Sequence, residues 1–193
     1  MCIRDRKKVD FLIIGGGMAN TFLFARGLNI GTSLAEKELA ETARNIENIA
    51  LKSKCKILLQ TDAVVAGELV AGQTPKIVAI SQIPDDAMIL DAGPQSTANF
   101  SEHLATCKTI IWNGPLGAFE IAPFDQSTVS LAKDVAFYTQ NKDIISVAGG
   151  GDTVAALTHA GVNEKFSYLS TAGGAFLEWL EGKILPGIAA LQN

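Results

Sequence analysis

The sequence predicts a three-layer α/β fold, in which helices flank an open parallel sheet of about six strands. Short apolar runs recur along the 193 residues, and most of them lead into a segment of helical periodicity. Apolar residues make up 48% of the chain, which suits strands that are covered on both faces. The predicted strands are residues 11–14, 57–59, 88–90, 109–112, 144–148 and 168–170.

The predicted helices have recognisable ends. Ser33 and Glu36 have the S-x-x-E spacing of a capping box, which predicts that a helix begins there. Ser96 and Asp125 are candidate caps for two later helices, and Gly182 is a candidate for the end of another. The apolar positions that share one face of the helix after Ser33 are Leu39, Ala43, Ile46 and Ala50.

The alternation of strands and helices is broken once. Residues 63–66 and 76–80 flank a turn-rich stretch at 67–75, and this pattern predicts a small β-hairpin or subsidiary sheet. We find no internal repeat and no low-complexity linker. The length therefore suits one domain of ordinary size.

Composition argues against several classes of function. The chain has 16 basic and 20 acidic residues without a basic stripe, which argues against nucleic acid as a partner. No apolar run reaches about 18 residues, the length that a membrane span needs. Cys2, Cys55 and Cys107 lie far apart and lack CxxC spacing, so we expect neither a disulfide framework nor a zinc site. These features predict a cytoplasmic protein. His103 and His159 are interpreted as surface residues.

Three glycine clusters, at 15–17, 149–151 and 173–174, follow predicted strands. Their backbone N–H groups could bind phosphates closely, because glycine has no Cβ atom. The carboxyl ends of parallel strands share one edge of a sheet, where ligands bind. Alternatively, the glycines only permit tight turns between strand and helix. Asn20 and Val154 stand where the last glycine of G-x-G-x-x-G would be, so a dinucleotide-binding domain is disfavoured.

Two acidic residues near the glycine clusters are candidate ligands. Asp152 directly follows the second cluster and could bind a Mg²⁺ that bridges phosphate oxygens, or it could cap the next helix. Glu120 ends the segment WNGPLGAFE and could bind ribose hydroxyls, or it could be a solvated surface acid. Pro115 and Leu116 of that segment could form an apolar wall for a base.

Seven segments form a specific combination. They are LIIGGGMANTF at 12–22, GTSL at 31–34, TDAVVA at 61–66, LDAGPQS at 90–96, WNGPLGAFE at 112–120, VAGGGDT at 147–153 and STAGGAFLEWLEGKILPG at 170–187. In this order they resemble the carboxy-terminal, nucleotide-binding domain of the phosphoglycerate kinases, which is Rossmann-like. The chain departs from the family pattern at three positions: Gln60 replaces a usual proline, and Ser127 and Ala172 replace usual glycines.

The resemblance implies a site for ATP or ADP with Mg²⁺. It implies that Glu120 binds the ribose hydroxyls and that Asp152 faces the metal. The residues implied at the base pocket are Gly15, Gly16, Leu34 and Pro115. Those implied at the phosphates are Asn113, Gly149, Gly150, Gly151, Asp152 and Thr153. Those implied as catalytic, at the transferred phosphoryl group, are Gly150, Gly173 and Gly174.

The resemblance also implies a reaction and a missing half. Phosphoglycerate kinases move the γ-phosphoryl group of ATP reversibly onto the carboxylate of 3-phosphoglycerate, giving 1,3-bisphosphoglycerate and ADP in glycolysis. Their amino-terminal domain binds 3-phosphoglycerate and supplies a catalytic arginine, and full-length members are expected to be monomers. Residues 7–193 match the carboxy-terminal domain, whereas residues 1–6 match nothing in the family. The first strand of that domain, with its GGxKVxxK sequence, would precede Lys7.

We therefore expect a truncated or mis-joined gene product that reaches 3-phosphoglycerate only through the missing domain. Such a chain would bind nucleotide without appreciable turnover, and it would have marginal stability and a tendency to aggregate. Two alternatives stay open at this point. The chain could be a stand-alone nucleotide-binding module without catalysis, or a structural fragment that neither folds nor binds alone.

Overall fold

The computed structural model describes residues 9–180 and 182–190. The predictions about residues 1–6 and about a missing strand before Lys7 lie outside this part of the chain. The strands are β1 (Phe11–Ile13), β2 (Lys56–Leu58), β3 (Asp62–Ala66), β4 (Lys76–Ala79), β5 (Met88–Ala92), β6 (Thr109–Trp112), β7 (Ile145–Gly149) and β8 (Tyr168–Ser170). The α-helices are α1 (Gly16–Ala25), α2 (Ala40–Lys52), α3 (Pro94–Leu104), α4 (Gln126–Asn141), α5 (Gly151–His159), α6 (Gly173–Leu180) and α7 (Pro186–Ala190).

The predicted α/β fold with parallel strands is confirmed. β1 pairs in parallel with β2, and β6, β7 and β8 form a parallel sheet in that order. The two parallel pieces share one apolar cluster, because Phe11 and Ile13 of β1 pack against the cluster that contains Ile110 and Trp112 of β6. The loops that follow β1 and β6 also meet, because the N–H of Gly16 donates to the carbonyl of Leu116 (2.9 Å), so these strands end in a common region.

The predicted hairpin is also confirmed, and it belongs to a larger antiparallel sheet. β3 pairs antiparallel with β4 on one side and with β5 on the other. The strand expected at 88–90 therefore forms as β5, but it joins this second sheet instead of the parallel one. β4 and β5 flank β3 on opposite sides, and residues 80–87, which include a 3₁₀ turn at Ile80–Gln82, connect them.

Helices cover one face of the β6–β8 sheet and the opposite face of β1 and β2. The cluster that includes Phe100 of α3, Val135 of α4 and Leu157 of α5 covers one face of the β6–β8 sheet. A second cluster joins Phe22 of α1 and Ala43 of α2 to the opposite face of β1 and β2. Each Å² of apolar surface that is buried stabilises the fold by about 25 cal/mol, so these clusters are its main stabilising element.

The predicted helix caps are wrong in detail. The Ser33 hydroxyl accepts a hydrogen bond from the backbone N–H of Ile89 (2.8 Å), and α2 begins only after a 3₁₀ turn at Lys37–Leu39. Ser96 lies inside α3, whose first turn is capped by Asp62 through the N–H groups of Gln95 (3.1 Å) and Ser96 (2.7 Å).

The remaining two predicted helix ends have different outcomes. Asp125 occupies the N-cap position of α4 but makes no capping hydrogen bond, because its carboxylate instead pairs with His159 (2.9 Å). Gly182 follows α6 with a φ of 80°, and the N–H of Lys183 donates to the carbonyl of Glu178 (3.0 Å). This is the left-handed residue expected after the end of a helix.

In the part of the chain that the structure describes, no helix covers the second face of the β6–β8 sheet. Ile111 of β6, Ile145 of β7 and Tyr168 of β8 point away from the core and are 44%, 55% and 60% exposed. Parallel sheets are normally covered on both faces, so this apolar face is unusual.

Candidate functional site

The loops that follow β7 and β8 meet backbone to backbone. The N–H of Gly150 donates to the carbonyl of Ser170 (3.0 Å), and Gly150 has a φ of 101°, which favours glycine. A Cβ atom on Gly173 would lie 2.6 Å from the Cα of Gly150, so only glycine fits there. The side-chain nitrogen of Asn113, which follows β6, lies 3.7 Å from the same Cβ position. Residues after three adjacent strands therefore converge at one point.

Thr153 ties the loop after β6 to the first turn of α5. Its hydroxyl accepts a hydrogen bond from the N–H of Gly114 (2.7 Å), and its side chain is 1% exposed. Gly149 is buried at the end of β7, whereas Gly151 is exposed at the start of α5. Helices α5 and α6 thus begin beside each other, and both N-terminal ends can attract an anion.

Asp152 is an exposed residue in the first turn of α5. It is not the N-cap, since Gly150 holds that position, so the capping alternative is wrong. Its carboxylate interacts favourably with the N-terminal end of the helix dipole. Gly174, in the first turn of α6, is likewise exposed, and a Cβ atom there would meet nothing within 4 Å.

The glycine loop after β1 lies against the loop after β6. The N–H of Gly16 donates to the carbonyl of Leu116 (2.9 Å), and Gly16 has a φ of 59°. A Cβ atom on Gly15 would lie 2.7 Å from the Leu116 side chain, and one on Gly16 would lie 3.9 Å from the Pro115 carbonyl oxygen. Three of the four residues expected at a base pocket are therefore neighbours.

Leu34 lies on the other side of the same glycine loop. Its side chain would be 3.5 Å from a Cβ atom on Gly17, and its carbonyl accepts a hydrogen bond from the Asn20 amide (3.0 Å). The Leu34 side chain is 82% exposed and is therefore open to solvent beside the glycine loop. All four residues named for the base pocket thus lie around one loop.

Glu120 is also exposed, at the end of the loop after β6. Among the hydrogen bonds and ion pairs of residues 9–180 and 182–190, none involves this carboxylate. The structure therefore does not link it to the other candidate residues by a hydrogen bond or an ion pair. It does leave both carboxylate oxygens free to accept hydrogen bonds from a ligand.

Comparisons with known proteins identify the family. The family model described as phosphoglycerate kinase matches residues 6–183. The chain belongs to the phosphoglycerate kinase family. It is 60% identical over 187 residues to the phosphoglycerate kinase of Agrobacterium fabrum, and 58% identical over 185 residues to that of Granulibacter bethesdensis. These alignments cover 97% and 96% of this chain but 47% of each relative, so the chain spans about half their length.

Solved structures show the same fold. The phosphoglycerate kinase of Coxiella burnetii superposes with a TM-score of 0.91 at 44% identity, over 97% of this chain and 47% of that one. The enzyme of Pyrococcus horikoshii superposes with a TM-score of 0.79 at 27% identity, over 98% of this chain and 47% of that one. The paired sheets therefore keep the relative arrangement that they have in these phosphoglycerate kinases.

A buried carboxyl group that the sequence did not single out lies under the loop after β6. Asp91 of β5 is 1% exposed, and its oxygens accept hydrogen bonds from the N–H groups of Ala92 and Ser127, both at 2.9 Å. Burial raises the pKa of Asp91 to about 6, while the hydrogen bonds from Ser127 act to lower it. Asp91 lies in the LDAGPQS segment, but its partner Ser127 is 36 residues away, so no local pattern could predict the contact.

The side chains near the glycine loops suit a metal ion that binds mainly through the phosphates of a nucleotide, rather than one held by protein ligands alone. Within the described residues there is no group of three or more His, Cys, Asp or Glu side chains that could hold a metal. Magnesium commonly binds one or two carboxylates together with substrate phosphates and water. Asp152, exposed beside the glycine loops, fits that mode.

None of the helices in residues 9–180 and 182–190 has the length and apolar character of a membrane span.

Proposed function

We propose that this chain is the Mg–ATP/ADP-binding half of a phosphoglycerate kinase, and that by itself it binds nucleotide without appreciable turnover. The reaction transfers the γ-phosphoryl group reversibly between ATP and the carboxylate of 3-phosphoglycerate. The observation that carries the proposal is the contact of Gly173 with Gly150 beside Asn113. It brings the N-terminal ends of α5 and α6 together at one end of a rim, by which we mean the loops that follow β1, β6, β7 and β8.

The rim has an apolar end and a polar end, which suits a nucleotide. At the apolar end, Gly15, Gly16, Leu34 and Pro115 surround space for a base. Glu120 accepts hydrogen bonds from the ribose hydroxyls, since an ionised carboxylate is acceptor-only. At the polar end, Asn113 and the loop at 149–153 hold the phosphates, with the N–H groups of residues 151–153 at the start of α5 as donors.

Phosphoryl transfer depends mainly on positioning and on neutralisation of charge. We assign the N–H groups of Gly173 and Gly174 to the charge that develops on the transferred group, and the first turns of α5 and α6 add their positive ends. Gly150 contributes by holding the two helix starts together, because its own N–H donates to the Ser170 carbonyl. A Mg²⁺ bound with the nucleotide would neutralise charge on the phosphate oxygens, with Asp152 as its protein carboxylate. These residues orient one substrate and leave the acceptor to another part of the enzyme.

The acceptor, 3-phosphoglycerate, is bound by the half of the relatives that this chain does not span. That half also supplies a catalytic arginine, and an arginine at the transition state is worth roughly 10³ to 10⁵ in rate. We also propose a cytoplasmic setting and no nucleic-acid partner, in keeping with the acidic composition and the glycolytic reaction. A non-catalytic nucleotide-binding module is the alternative, favoured only by the 47% coverage of the relatives.

Two measurements test the proposal. Calorimetry with Mg–ADP should show saturable binding to the chain at one site. A coupled kinase assay should then show turnover only after the amino-terminal half of the Agrobacterium fabrum enzyme is added as a separate polypeptide. If Mg–ADP binds but the added half never restores turnover, the chain is a binding module. If Mg–ADP does not bind, both functions are wrong.

A further inference from the structure

The loop after β6 is fastened to the rest of the domain on both sides of Gly117. The N–H of Leu116 donates to the hydroxyl of Thr128 in the first turn of α4 (3.0 Å), and the N–H of Ala118 donates to the carbonyl of Leu90 in β5 (2.9 Å). Because the carbonyl of Leu116 also accepts from Gly16, the position of residues 116–118 sets where the two base-side loops meet.

Gly117 itself rests on the carboxyl group of Asp91. A Cβ atom at this glycine would lie 2.2 Å from the Oδ1 atom of Asp91, so backbone and carboxylate are in direct contact. The Ser127 hydroxyl donates to Oδ1, and the Ser127 N–H donates to Oδ2 (2.9 Å). The carboxylate thus joins β5, the loop and the first turn of α4 at one buried point.

We propose that Asp91, held by Ser127, is a positioning residue for the nucleotide-binding loop at 112–120. The Asp91–Ser127 pair is buried, at 1% and 3% exposure, so we do not expect it to touch the nucleotide itself. It acts through Gly117 and through the first turn of α4, which carries Thr128 and so holds Leu116 against Gly16. This inference rests on the proposed function, because it assigns the pair a role in binding the nucleotide.

The ionised carboxylate is the form that suits these contacts. Three donors converge on it: the N–H groups of Ala92 and Ser127 and the Ser127 hydroxyl. Protonation would turn one of these oxygens into an O–H donor, so the Ser127 hydroxyl would have to accept instead of donate, or one N–H group would lose its acceptor. The other charged groups nearby are Asp125, whose charge raises the pKa of Asp91, and His159 of α5, which pairs with Asp125.

A ligand-free measurement tests the positioning. Trp112 is 8% exposed, and its ring N–H donates to the Gly114 carbonyl (2.6 Å), so its fluorescence reports on this loop. The chain has two tryptophans, and Trp179→Phe leaves Trp112 as the only one. We expect a fluorescence transition near pH 6, a higher midpoint in Ser127→Ala, restoration by Ser127→Thr, and no transition in Asp91→Asn. A side chain that only fills space would not move the midpoint.

A binding measurement on the same variants tests the link to nucleotide. At pH 7 we expect Asp91→Asn to raise the Kd for Mg–ADP about tenfold and Ser127→Ala to raise it about threefold. Ser130→Ala, at an exposed position of the same helix, should leave the Kd unchanged. Ser127→Ala keeps the Asp91 carboxyl and both N–H donors, so it provides a milder variant if Asp91→Asn does not fold.

The outcomes are distinguishable. The inference is supported if Ser127→Ala raises the midpoint of the Trp112 fluorescence transition and also weakens the binding of Mg–ADP. Normal Mg–ADP binding by all variants, or a Trp112 signal that does not respond to Ser127, overturns the inference and leaves the proposed function intact. Failure of the unmodified chain to bind Mg–ADP overturns both.

Discussion

Gly173 lies against Gly150 so closely that a Cβ atom on the first would be 2.6 Å from the Cα and 3.0 Å from the N of the second. The neighbour is backbone, which cannot move away as the end of a flexible side chain can. This contact brings the start of α6 to the start of α5, and the proposed phosphate end of the site depends on it.

Gly173→Ala should therefore separate the two helix starts and destabilise the domain by about 1–3 kcal/mol, the usual cost of overpacking. Denaturant unfolding followed by circular dichroism measures this change. Gly174→Ala is the matched control for stability, because its Cβ atom would meet nothing within 4 Å. Equal unfolding free energies for the two variants would show that the loops are not packed as described.

Asp152→Ala should weaken the binding of Mg–ADP about tenfold, or about 1.4 kcal/mol, while metal-free ADP binding changes little. The reason is that Asp152 is assigned to the metal and not to the phosphates. Calorimetry with and without a chelator makes the comparison, and Glu164→Ala, at another exposed acid, is the control. Equal losses in both conditions would contradict a metal role.

Glu120→Ala should weaken ADP binding, because the carboxylate would lose its hydrogen bonds to the ribose. The loss should disappear when the ligand is 2′,3′-dideoxy-ADP, which has no ribose hydroxyls. A competition assay with both nucleotides on both proteins provides the test. The ribose role is wrong if the unmodified chain binds the two nucleotides equally well.

Asp91 should make the fold less stable as the pH rises from about 4 to about 6. Its folded pKa of about 6 lies above the ordinary carboxyl pKa of 3.8, so the folded state holds the proton more tightly than the unfolded state. The unfolding free energy should fall by about 2 kcal/mol across this window through Asp91 alone. Urea titrations at pH 4 and pH 7 measure the unfolding free energies of Asp91→Asn and of the unmodified chain. The variant should gain about this amount of stability relative to the unmodified chain as the pH rises. A constant difference would contradict it.

The uncovered face of the β6–β8 sheet should promote self-association. Ile145→Lys places a charge on the central strand of this face and should lower light scattering at high protein concentration. Phe137→Lys is the comparison, because Phe137 is 58% exposed but lies on α4, away from this face. If both variants scatter as the unmodified chain does, this face is not the cause of association.

Local patterns predicted the parts of the molecule that depend on neighbours in sequence. The strands at 11–14, 109–112, 144–148 and 168–170 and the hairpin after residue 63 were all found. The glycine clusters were expected at one rim, because parallel strands share their carboxyl ends, and the loops do meet there.

Features that depend on distant partners could not be predicted. Ser33 and Ser96 have the chemistry of helix caps, but Ile89 and Asp62 engage their side chains from strands far along the chain. The antiparallel pairing of β5 depends on β3 as its neighbour, which apolar periodicity does not specify. The contact between Asp91 and Ser127 likewise arises only when α4 docks on β5.

The central claim is that backbone N–H groups along one rim bind the nucleotide. Nuclear magnetic resonance of the chain labelled with ¹⁵N-glycine, titrated with Mg–ADP, tests it directly, because the 18 glycines are spread through the fold. We predict that the amide signals of the glycines in the three loops at 15–17, 149–151 and 173–174 shift. Those of Gly27, Gly72 and Gly161, which lie in open turns elsewhere, should not shift. Shifts confined to the latter glycines, or none at saturating Mg–ADP, would contradict the claim.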